Sequence, residues 1–342
     1  MKKTTRLLSL ALVLVLCLSV LPVGAAAYTG WIYNDSSTEY LVNNEAVSGW
    51  YKIGGYWYYF EPEYHGEDYV IYNMVRSRGA ELPSGSGNHY YFNSKGVMVA
   101  SQWVSFNQYN AETDTYTKVW EYYLSSGKRA SGWQKIGGVW YYFDPYNDGV
   151  MLTGGPHWIK DNYYYFKDSG ALFTGWKKFT EDDGYTFWAY FTSNGAVKNG
   201  WKQIGGKWYC FSNYAMLTSW YQDDNGDWYY LGSDGAMVAS KWVHTGSWYY
   251  QLSSGKGAKG WQKIGGVWYY FDPDNLGAMV TGGPLWIDGN YYFFKSSGAL
   301  YTGWKSIDGD WWYFTSNGAV KNGWKKINSK WYQFADYICL NP

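Results

Sequence analysis

The sequence predicts an all-β protein, a repeat solenoid of stacked β-hairpins, and three observations carry this prediction. The segment GWQKIGGVWYYF occurs twice without change, at residues 132–143 and 260–271. Aromatic residues make up 23% of the 342-residue chain, a composition unlike that of an ordinary globular core. Short aromatic strands separated by Gly-Gly or Asp-Gly recur after the first segment, where no amphipathic helical pattern is found. Hairpins of this size are unstable alone, so each is expected to stack on the next.

The first 27 residues have the pattern of a secretory signal peptide. Three basic residues precede an apolar run over residues 7–21, and Ala25 and Ala27 are small residues at a suitable cleavage site. The run is shorter than the ~20 residues that a membrane span needs. The mature chain is therefore expected to be secreted, to lie at the cell wall or cell surface, and to have no membrane span.

Charge and cysteine content exclude further classes of protein. Three of the 28 basic residues lie in the signal segment, which leaves 25 against 28 acidic residues and no basic tract. Affinity for nucleic acid rests on clustered Lys and Arg, so nucleic acid is not an expected partner. Two cysteines remain in the mature chain, Cys210 and Cys339, which are too few for a disulfide scaffold. We interpret both as substitutions within repeat positions.

The repeat pattern divides the mature chain into four segments. Residues 28–48 are too short to fold alone and are predicted to be an N-terminal capping segment. Residues 49–131 are degenerate repeats with loop insertions. Two regular repeat blocks follow, at residues 132–259 and 260–342, and the second includes a C-terminal cap.

Two details of this division are specific predictions. The pattern breaks at residues 61–81 and 107–117, where polar residues enter, and we expect long loops there. Elsewhere a Trp opens each unit, and Trp158 and Trp286 are assigned to this opening position.

The Gly137-Gly138 pair predicts the register of the hairpin at residues 132–143. Two-residue turns need positive φ, which Gly adopts readily. The expected pairs are Ile136 with Val139, Lys135 with Trp140, Gln134 with Tyr141, and Trp133 with Tyr142. Because side chains alternate between faces, Gln134, Ile136, Val139, Tyr141 and Phe143 share one face, and Trp133, Lys135, Trp140 and Tyr142 share the other.

The two faces are expected to have different roles. We interpret the face with Tyr141 and Phe143 as the packing surface of the array. The face with Trp133, Trp140 and Tyr142 can form a box together with rings of the next unit. Leu or Ile would serve a core equally well, so Trp at these places indicates a need for flat, electron-rich rings. Rings around a quaternary ammonium contribute roughly 0.5–2 kcal/mol each.

These motifs resemble the choline-binding, or cell-wall-binding, repeats of Gram-positive surface proteins. The resemblance rests on GWQKIGGVWYYF followed by GAMVTG, and it extends over essentially the whole mature chain. It implies a β-solenoid that holds choline of teichoic or lipoteichoic acid between successive units, with Trp and Tyr rings sometimes backed by Met. Carried onto this chain, the candidate binding residues are Trp133, Trp140, Tyr142, Met151, Trp201, Trp208, Trp220, Trp228, Tyr230, Trp261, Trp268, Tyr270, Met279, Trp304, Trp312, Trp324 and Trp331.

Several units depart from the pattern and are expected to bind poorly. Cys210 and Gln333 stand where Tyr142 stands in its own unit, and His89, Tyr163 and Tyr291 replace the second Trp. Lys135 and Lys263 share the proposed ligand face, which is unfavourable for a cationic ligand unless the ammonium reaches water.

No catalytic or metal-binding constellation is predicted. His65, His89, His157 and His244 are scattered over different units without partners at metal-ligand spacing, and the acidic runs at residues 181–183 and 223–227 belong to turns. No nucleophile, base and orienting acid come from one region. The sequence therefore predicts a protein that is not an enzyme and needs no cofactor.

Two ligand classes remain for the repeated aromatic boxes. The first is the choline of cell-wall teichoic acid, bound through several weak sites. The second is carbohydrate, either glucan or a host oligosaccharide, because related repeats in glucosyltransferases and clostridial toxins recognise sugars, and sugars also stack on Trp and Tyr. A structural spacer with empty boxes is a third hypothesis.

Overall fold

A computed structural model describes residues 27–35, 37–66 and 69–342. The signal-peptide prediction falls almost entirely on residues outside these ranges. The chain divides into two compact units at Phe173 and Thr174, and each is described by itself. The described residues contain no helix with the length and apolar character to span a bilayer.

The first unit consists of short antiparallel strands. They are β1 (Gly30–Tyr33), β2 (Thr38–Val42), β3 (Glu45–Ala46), β4 (Gly49–Ile53), β5 (Tyr56–His65), β6 (Tyr69–Met74), β7 (Arg78–Glu81), β8 (His89–Phe92), β9 (Gln102–Asn110), β10 (Thr115–Tyr123), β11 (Gly132–Ile136), β12 (Val139–Asp144), β13 (Val150–Met151), β14 (Gly155–Ile159) and β15 (Asn162–Phe166).

The second unit has the same character, with one 3-10 turn at Pro273–Asn275. Its strands are β16 (Gly175–Thr180), β17 (Thr186–Thr192), β18 (Gly195–Ala196), β19 (Gly200–Ile204), β20 (Lys207–Ser212), β21 (Ala215–Met216), β22 (Ser219–Gln222), β23 (Trp228–Leu231), β24 (Lys241–Thr245), β25 (Ser247–Gln251), β26 (Gly260–Ile264), β27 (Val267–Asp272), β28 (Ala278–Met279), β29 (Gly283–Ile287), β30 (Asn290–Phe294), β31 (Leu300–Tyr301), β32 (Gly303–Ile307), β33 (Asp310–Thr315), β34 (Gly318–Ala319), β35 (Gly323–Ile327), β36 (Lys330–Ala335) and β37 (Ile338–Cys339).

Each sheet is one hairpin of two strands, usually extended by a short third strand. In the β11–β12 hairpin all four predicted pairs are found, from Ile136 with Val139 to Trp133 with Tyr142. Gly137 and Gly138 both have positive φ, at 57° and 85°, as a two-residue turn of this kind requires. The predicted register is confirmed.

The core of each hairpin is the residue of the second long strand that pairs with the first residue of the first strand. Phe143 and Phe271 are fully buried there, and each pairs with a methionine of the third strand, Met151 and Met279 respectively. Other hairpins place a fully or nearly fully buried residue at the same point: Phe60, Phe92, Tyr123, Phe166, Phe191, Phe211, Leu231, Gln251, Phe294, Phe314 and Phe334. A ladder of large aromatic side chains therefore replaces the usual continuous core.

Consecutive hairpins stack through backbone as well as side chains. The Leu172 amide, in the segment after β15, donates a hydrogen bond of 2.8 Å to the carbonyl of Trp140 in the preceding hairpin. The Met98 amide does the same to Trp57, and the Gly257 amide to Trp228. The predicted all-β array of stacked hairpins is confirmed within each unit.

The expectation of long loops at residues 61–81 and 107–117 is wrong. β5 and β6 pair from Phe60 with Met74 out to His65 with Tyr69, and β9 pairs with β10 as far as Asn110 with Thr115. Alternation of β-branched and aromatic residues among the polar ones suits a two-sided exposed ribbon, so these insertions lengthen the hairpins.

The predicted capping segment, residues 28–48, contains the three strands of a full repeat. β1, β2 and β3 form a three-stranded sheet in which Trp31 pairs with Tyr40 and Leu41 pairs with Ala46. Trp31 contacts Tyr58 of the next hairpin, with 5.2 Å between ring centroids. The segment therefore repeats the strand plan of the regular hairpins.

Trp158 and Trp286 do not open their hairpins, contrary to the sequence assignment. Trp158 pairs with Tyr163, and Pro156 occupies the position that Trp133 has in its own hairpin. Trp286 likewise pairs with Tyr291, and Pro284 takes the opening position. The tight turn after Ile159 fixes this register, because it places Ile159 opposite Asn162.

Candidate functional site: aromatic boxes between hairpins

Two tryptophans of one hairpin and a tyrosine of the next form a box. The Trp133 and Trp140 rings lie 6.3 Å apart at an interplanar angle of 85°. Tyr164, on the second strand of the following hairpin, lies 4.7 Å from Trp133 at 61°. Trp133 is therefore shared between two ring contacts, one with Trp140 of its own hairpin and one with Tyr164 of the next. Clustered aromatic rings of this kind are the groups that attract organic cations in proteins.

The same arrangement recurs in both units. We call the residue corresponding to Trp133 the inner Trp, the residue corresponding to Trp140 the outer Trp, and each box after its inner Trp. Among the described residues the right-angled Trp pair and the following Tyr are found in the boxes of Trp50 with Trp57 and Tyr90, Trp133 with Trp140 and Tyr164, Trp220 with Trp228 and Tyr249, Trp242 with Trp248 and Tyr269, and Trp261 with Trp268 and Tyr292.

The inner and outer tryptophans differ in burial. Trp261 is partly buried and packs on Tyr292 and on the fully buried Phe294, at centroid distances of 4.7 and 5.7 Å. Trp268 is 41% exposed. The inner Trp thus packs against the next hairpin, whereas Trp268, like Trp57, Trp140 and Trp248, stays exposed at the rim. Trp228 is half-buried.

The tyrosine predicted as the third ring also contacts the inner Trp, from within the same hairpin. Tyr142 is 5.2 Å from Trp133, and Tyr230 and Tyr270 lie at 5.0 and 5.2 Å from their inner tryptophans. Burial raises the pKa of Tyr142 and of Tyr270. These tyrosines therefore stay neutral and support the inner Trp from within its own hairpin.

Sequence reasoning named neither the tyrosines of the following hairpin nor two of the Trp pairs. Tyr164 and Tyr292 correspond to Tyr141, which was assigned to packing, yet the packing face of one hairpin meets the ligand face of the previous one. The middle Tyr of the WYY motif was the available signal. The pairs Trp50 with Trp57 and Trp242 with Trp248 carry the same motif and were also missed.

The predicted methionines are buried between hairpins. Met151 is 6% exposed and clusters with Phe143 and Ala130. Its sulfur lies against the turn glycine Gly170 of the next hairpin, where φ is +78° and a Cβ would collide with the Met side chain. Met279 has the same relation to Gly298. Both methionines therefore pack one hairpin tightly against the turn of the next.

One predicted binding residue lies on the packing face of its hairpin instead of the proposed ligand face. Trp312 pairs with Lys305 and stacks on Phe314 and Tyr337, at 6.0 and 5.4 Å, so it belongs to the packing face. Trp311 occupies the outer position and is 43% exposed. The turn after Ile307 sets this register, because Ile307 pairs with Asp310.

The remaining predicted tryptophans keep parts of the box. Trp201 and Trp304 contact the next hairpin through Tyr229 and Tyr332, at 4.9 and 4.8 Å. Trp208 is 43% exposed, and in the last hairpin Trp324 and Trp331 are 60% and 55% exposed. Cys210, opposite Trp201, is fully buried, and burial raises the pKa of its thiol.

At one position in the stack the rings are replaced by charged and polar groups. In the β7–β8 hairpin, Gly79 takes the inner and His89 the outer position, and the next hairpin places Glu121 where a Tyr is expected. Arg129 Nη1 lies 3.2 Å from Glu121 Oε1, and Tyr123 Oη donates to Glu121 Oε2 at 2.6 Å. The Arg129 amide still donates to the His89 carbonyl at 2.7 Å.

Burial sets the electrostatics of this charged position. The Glu121 and Arg129 side chains are 5% and 17% exposed. Burial raises the pKa of Glu121, and the hydrogen bond from Tyr123 and the charge of Arg129 oppose the rise only in part. Across the described residues, no group of three or more His, Cys, Asp or Glu could hold a metal ion.

The family models that match this chain describe the same repeats. A model described as "Choline-binding repeat" matches residues 130–175 and 258–303. A model described as "Putative cell wall binding repeat" matches residues 48–62, 85–98, 199–211, 218–237, 302–320 and 322–332. Together the matches extend over more than half of the chain. No curated protein sequence matches it.

Solved structures similar to this chain include CbpJ from Streptococcus pneumoniae TIGR4, with 26% identity, 85% of this chain and 99% of that chain covered, and a TM-score of 0.39. Choline binding protein F from Streptococcus pneumoniae has 23% identity, coverage of 92% and 94%, and a TM-score of 0.44. The choline binding domain of Spr1274 in Streptococcus pneumoniae has 43% identity over 18% of this chain and 84% of that chain, with a TM-score of 0.17.

The register, the stacked hairpins and the family matches agree on one assignment. The chain belongs to the family of choline-binding, cell-wall-binding repeat proteins.

Proposed function

We propose that this protein is a secreted, non-catalytic binding protein that attaches to choline-bearing teichoic or lipoteichoic acid of the cell wall. The observation that supports the proposal most is the right-angled Trp pair closed by a Tyr of the next hairpin, repeated with centroid distances of 6.3 to 6.4 Å between the tryptophans. A packing core has no need for such constant geometry at a rim that is about 40% exposed, as at Trp268.

The chemistry of the box suits a trimethylammonium group. Its methyl groups are apolar enough to leave water, and its positive charge is attracted to ring faces. Contacts of roughly 0.5–2 kcal/mol from each of three rings give a binding free energy near 4 kcal/mol, which corresponds to a Kd of about 1 mM. Each box is therefore a weak site.

Several weak sites on one chain can together hold a polymer firmly. Once one box has bound a polymer that carries many choline groups, a second box of the same chain meets its ligand at a high effective concentration. Avidity can then exceed the single-site affinity by about 10² to 10⁴. Attachment of this kind needs no covalent step.

Calorimetric titration of the protein with choline tests the proposal. We expect weak binding with about five sites per chain, one for each complete box, and the loss of one site in Trp268→Ala. Trp158→Ala is the matched control, because Trp158 is 60% exposed but lies outside the boxes, and its stoichiometry should equal that of the wild type. Absence of choline binding at tens of millimolar, or equal losses in the two variants, would contradict the proposal.

A further inference from the structure

The boxes differ in the residue that pairs with the outer Trp, on the same face of the hairpin. It is Lys52 opposite Trp57, Lys135 opposite Trp140, Gln222 opposite Trp228, His244 opposite Trp248, and Lys263 opposite Trp268. The five boxes share their rings, so this position is where their charge differs.

The three lysines already place a cation near the ring that a cationic ligand needs. The Nζ atoms of Lys52, Lys135 and Lys263 lie 5.8, 5.9 and 6.0 Å from the centroids of their outer tryptophans. Each lysine repels a bound quaternary ammonium and shares the attraction of the same ring. Two unit charges about 6 Å apart in water repel by about 0.7 kcal/mol, which is a factor of about three in affinity.

The Trp220 box has the opposite electrostatics. Gln222 is neutral, and its Nε2 donates to the Gly226 carbonyl within the turn at 3.2 Å. The turn of this hairpin carries Asp223, Asp224 and Asp227, where the hairpins of the three lysine-bearing boxes have a glycine pair.

The charges of this turn are partly balanced by lysines of the segment that follows the next hairpin. Lys256 Nζ pairs with Asp227 at 2.6 Å, and Lys259 Nζ donates to the Gly226 carbonyl at 3.3 Å. Asp223 accepts hydrogen bonds from the amides of Asp227 and Asn225, which lower the pKa of its carboxyl group. The three aspartates of this turn therefore outnumber the two lysines that contact it.

The Trp220 box is also more firmly organised before a ligand arrives. The Trp220 indole Nε1 donates to Thr245 Oγ1 of the next hairpin at 3.0 Å. Walls that are held in advance lose less freedom when the ligand binds.

We infer that the boxes form an affinity series set by the residue opposite the outer Trp, and that the Trp220 box is the primary site for a quaternary ammonium. The lysine-bearing boxes of Trp50, Trp133 and Trp261 are secondary sites that fill at higher ligand concentration. This inference rests on the proposed function, because it ranks sites for the same ligand.

A reciprocal exchange at the two hairpins of the second unit tests the ranking. Choline is titrated into the full chain, and the indole N–H signals of Trp228 and Trp268 are followed by NMR after assignment with Trp→Phe variants. In the wild type, the choline concentration at half-saturation should be at least threefold lower for the Trp228 signal than for the Trp268 signal. Gln222→Lys should raise that concentration about threefold or more, and Lys263→Gln should lower the value for Trp268 by a similar factor.

Two controls separate charge from other effects. Lys202→Gln changes a lysine on the other face of its hairpin, opposite Tyr209, and should leave both signals unchanged. The neutral alcohol 3,3-dimethylbutan-1-ol has the shape of choline without its charge and should not respond to either exchange. Equal half-saturation of the two signals, or no effect of the exchanges, would overturn the ranking while leaving choline binding intact. Failure of both signals to respond to choline would overturn the proposed function itself.

Discussion

The Trp261 box and the charged position around Glu121 occupy equivalent places in the repeat, one in each unit, yet their chemistry is opposite. In the box, Trp261 contacts Trp268 of its own hairpin and Tyr292 of the next. At the charged position, Gly79 and His89 stand in the Trp positions, and Glu121 and Arg129 form an ion pair. The connecting hydrogen bond is retained, because the Arg129 amide donates to the His89 carbonyl as Leu172 donates to Trp140. The backbone stack and the ligand chemistry are therefore separable.

The largest effect is expected from breaking the ion pair at the charged position. Arg129→Met introduces the residue type that Met98 and Met151 supply at this place, but it leaves the Glu121 carboxylate buried without its cation. Removing one partner of a buried pair destabilises by about 3–5 kcal/mol. Urea unfolding followed by Trp fluorescence would measure the loss of unfolding free energy.

A double variant sharpens the same comparison. Arg129→Met with Glu121→Tyr replaces the pair by the residues found at apolar positions of the stack. Replacing a buried pair by well-packed apolar groups is often neutral or stabilising by about 1–4 kcal/mol, so most of the loss should be recovered. A double variant no more stable than Arg129→Met would show that the two positions do not share one scaffold.

The next effect concerns the inner Trp of the box. Trp261→Ala removes packing against Tyr292 and Phe294 as well as one box wall, so both unfolding free energy and choline binding should fall. Since Trp261 is only partly buried, the expected destabilisation is about 2–3 kcal/mol, below the 3–5 kcal/mol of a fully buried Trp. Trp268→Ala, at the exposed rim, should abolish the same site with little change in stability. Equal destabilisation in the two variants would contradict the separate roles of inner and outer tryptophans.

The smallest effect is a pH dependence at the charged position. Because burial raises the pKa of Glu121, its carboxyl group favours folding fully at pH below its ordinary value of about 4.3. That contribution is lost as pH rises through the raised value. Glu121→Gln imitates the protonated form, and Arg129 keeps a second carboxylate, Asp148, at 3.8 Å. The variant should therefore match wild type in unfolding free energy near pH 4 and become relatively more stable at higher pH.

The control for this profile is Glu112→Gln, which changes an exposed glutamate in the turn of the β9–β10 hairpin. Its unfolding free energy should follow that of the wild type across the same pH range. A difference in unfolding free energy between Glu121→Gln and wild type that stays constant with pH would contradict the claim that burial raises the pKa of Glu121.

The hairpin register could be predicted because it depends on local rules. Gly137-Gly138 fixes the turn, and period-two alternation then assigns every side chain to a face. The same counting from the turn places Trp311 at the rim and Trp312 in the packing, so that error came from aligning by residue type across Trp311-Trp312-Tyr313. Trp158 was assigned to the opening position for the same reason. Aligning by residue type shifted this hairpin by two residues, so Pro156, which occupies that position, was not recognised.

Contacts between hairpins were less accessible to sequence reasoning. Tyr164 closes the Trp133 box because one hairpin's packing face meets its neighbour's ligand face, and this relation depends on how hairpins stack. The ion pair of Glu121 with Arg129 could not be predicted either. Arg129 is recognised as a partner of Glu121 only once it is known to occupy the position that the third strand has in other hairpins. The long β9–β10 hairpin was mistaken for a loop because its polar residues pair across two exposed faces.

We propose that the boxes recognise a positive charge with their rings, and a comparison of two ligands separates charge from shape. Choline and 3,3-dimethylbutan-1-ol have nearly the same shape, and they differ in the charge of the trimethylated centre. Calorimetric titration of the full chain with each should show choline bound at least tenfold more tightly, since three rings contribute cation–π attraction beyond apolar contact. Equal affinities for the two ligands would show that the boxes select apolar shape alone and would contradict the account.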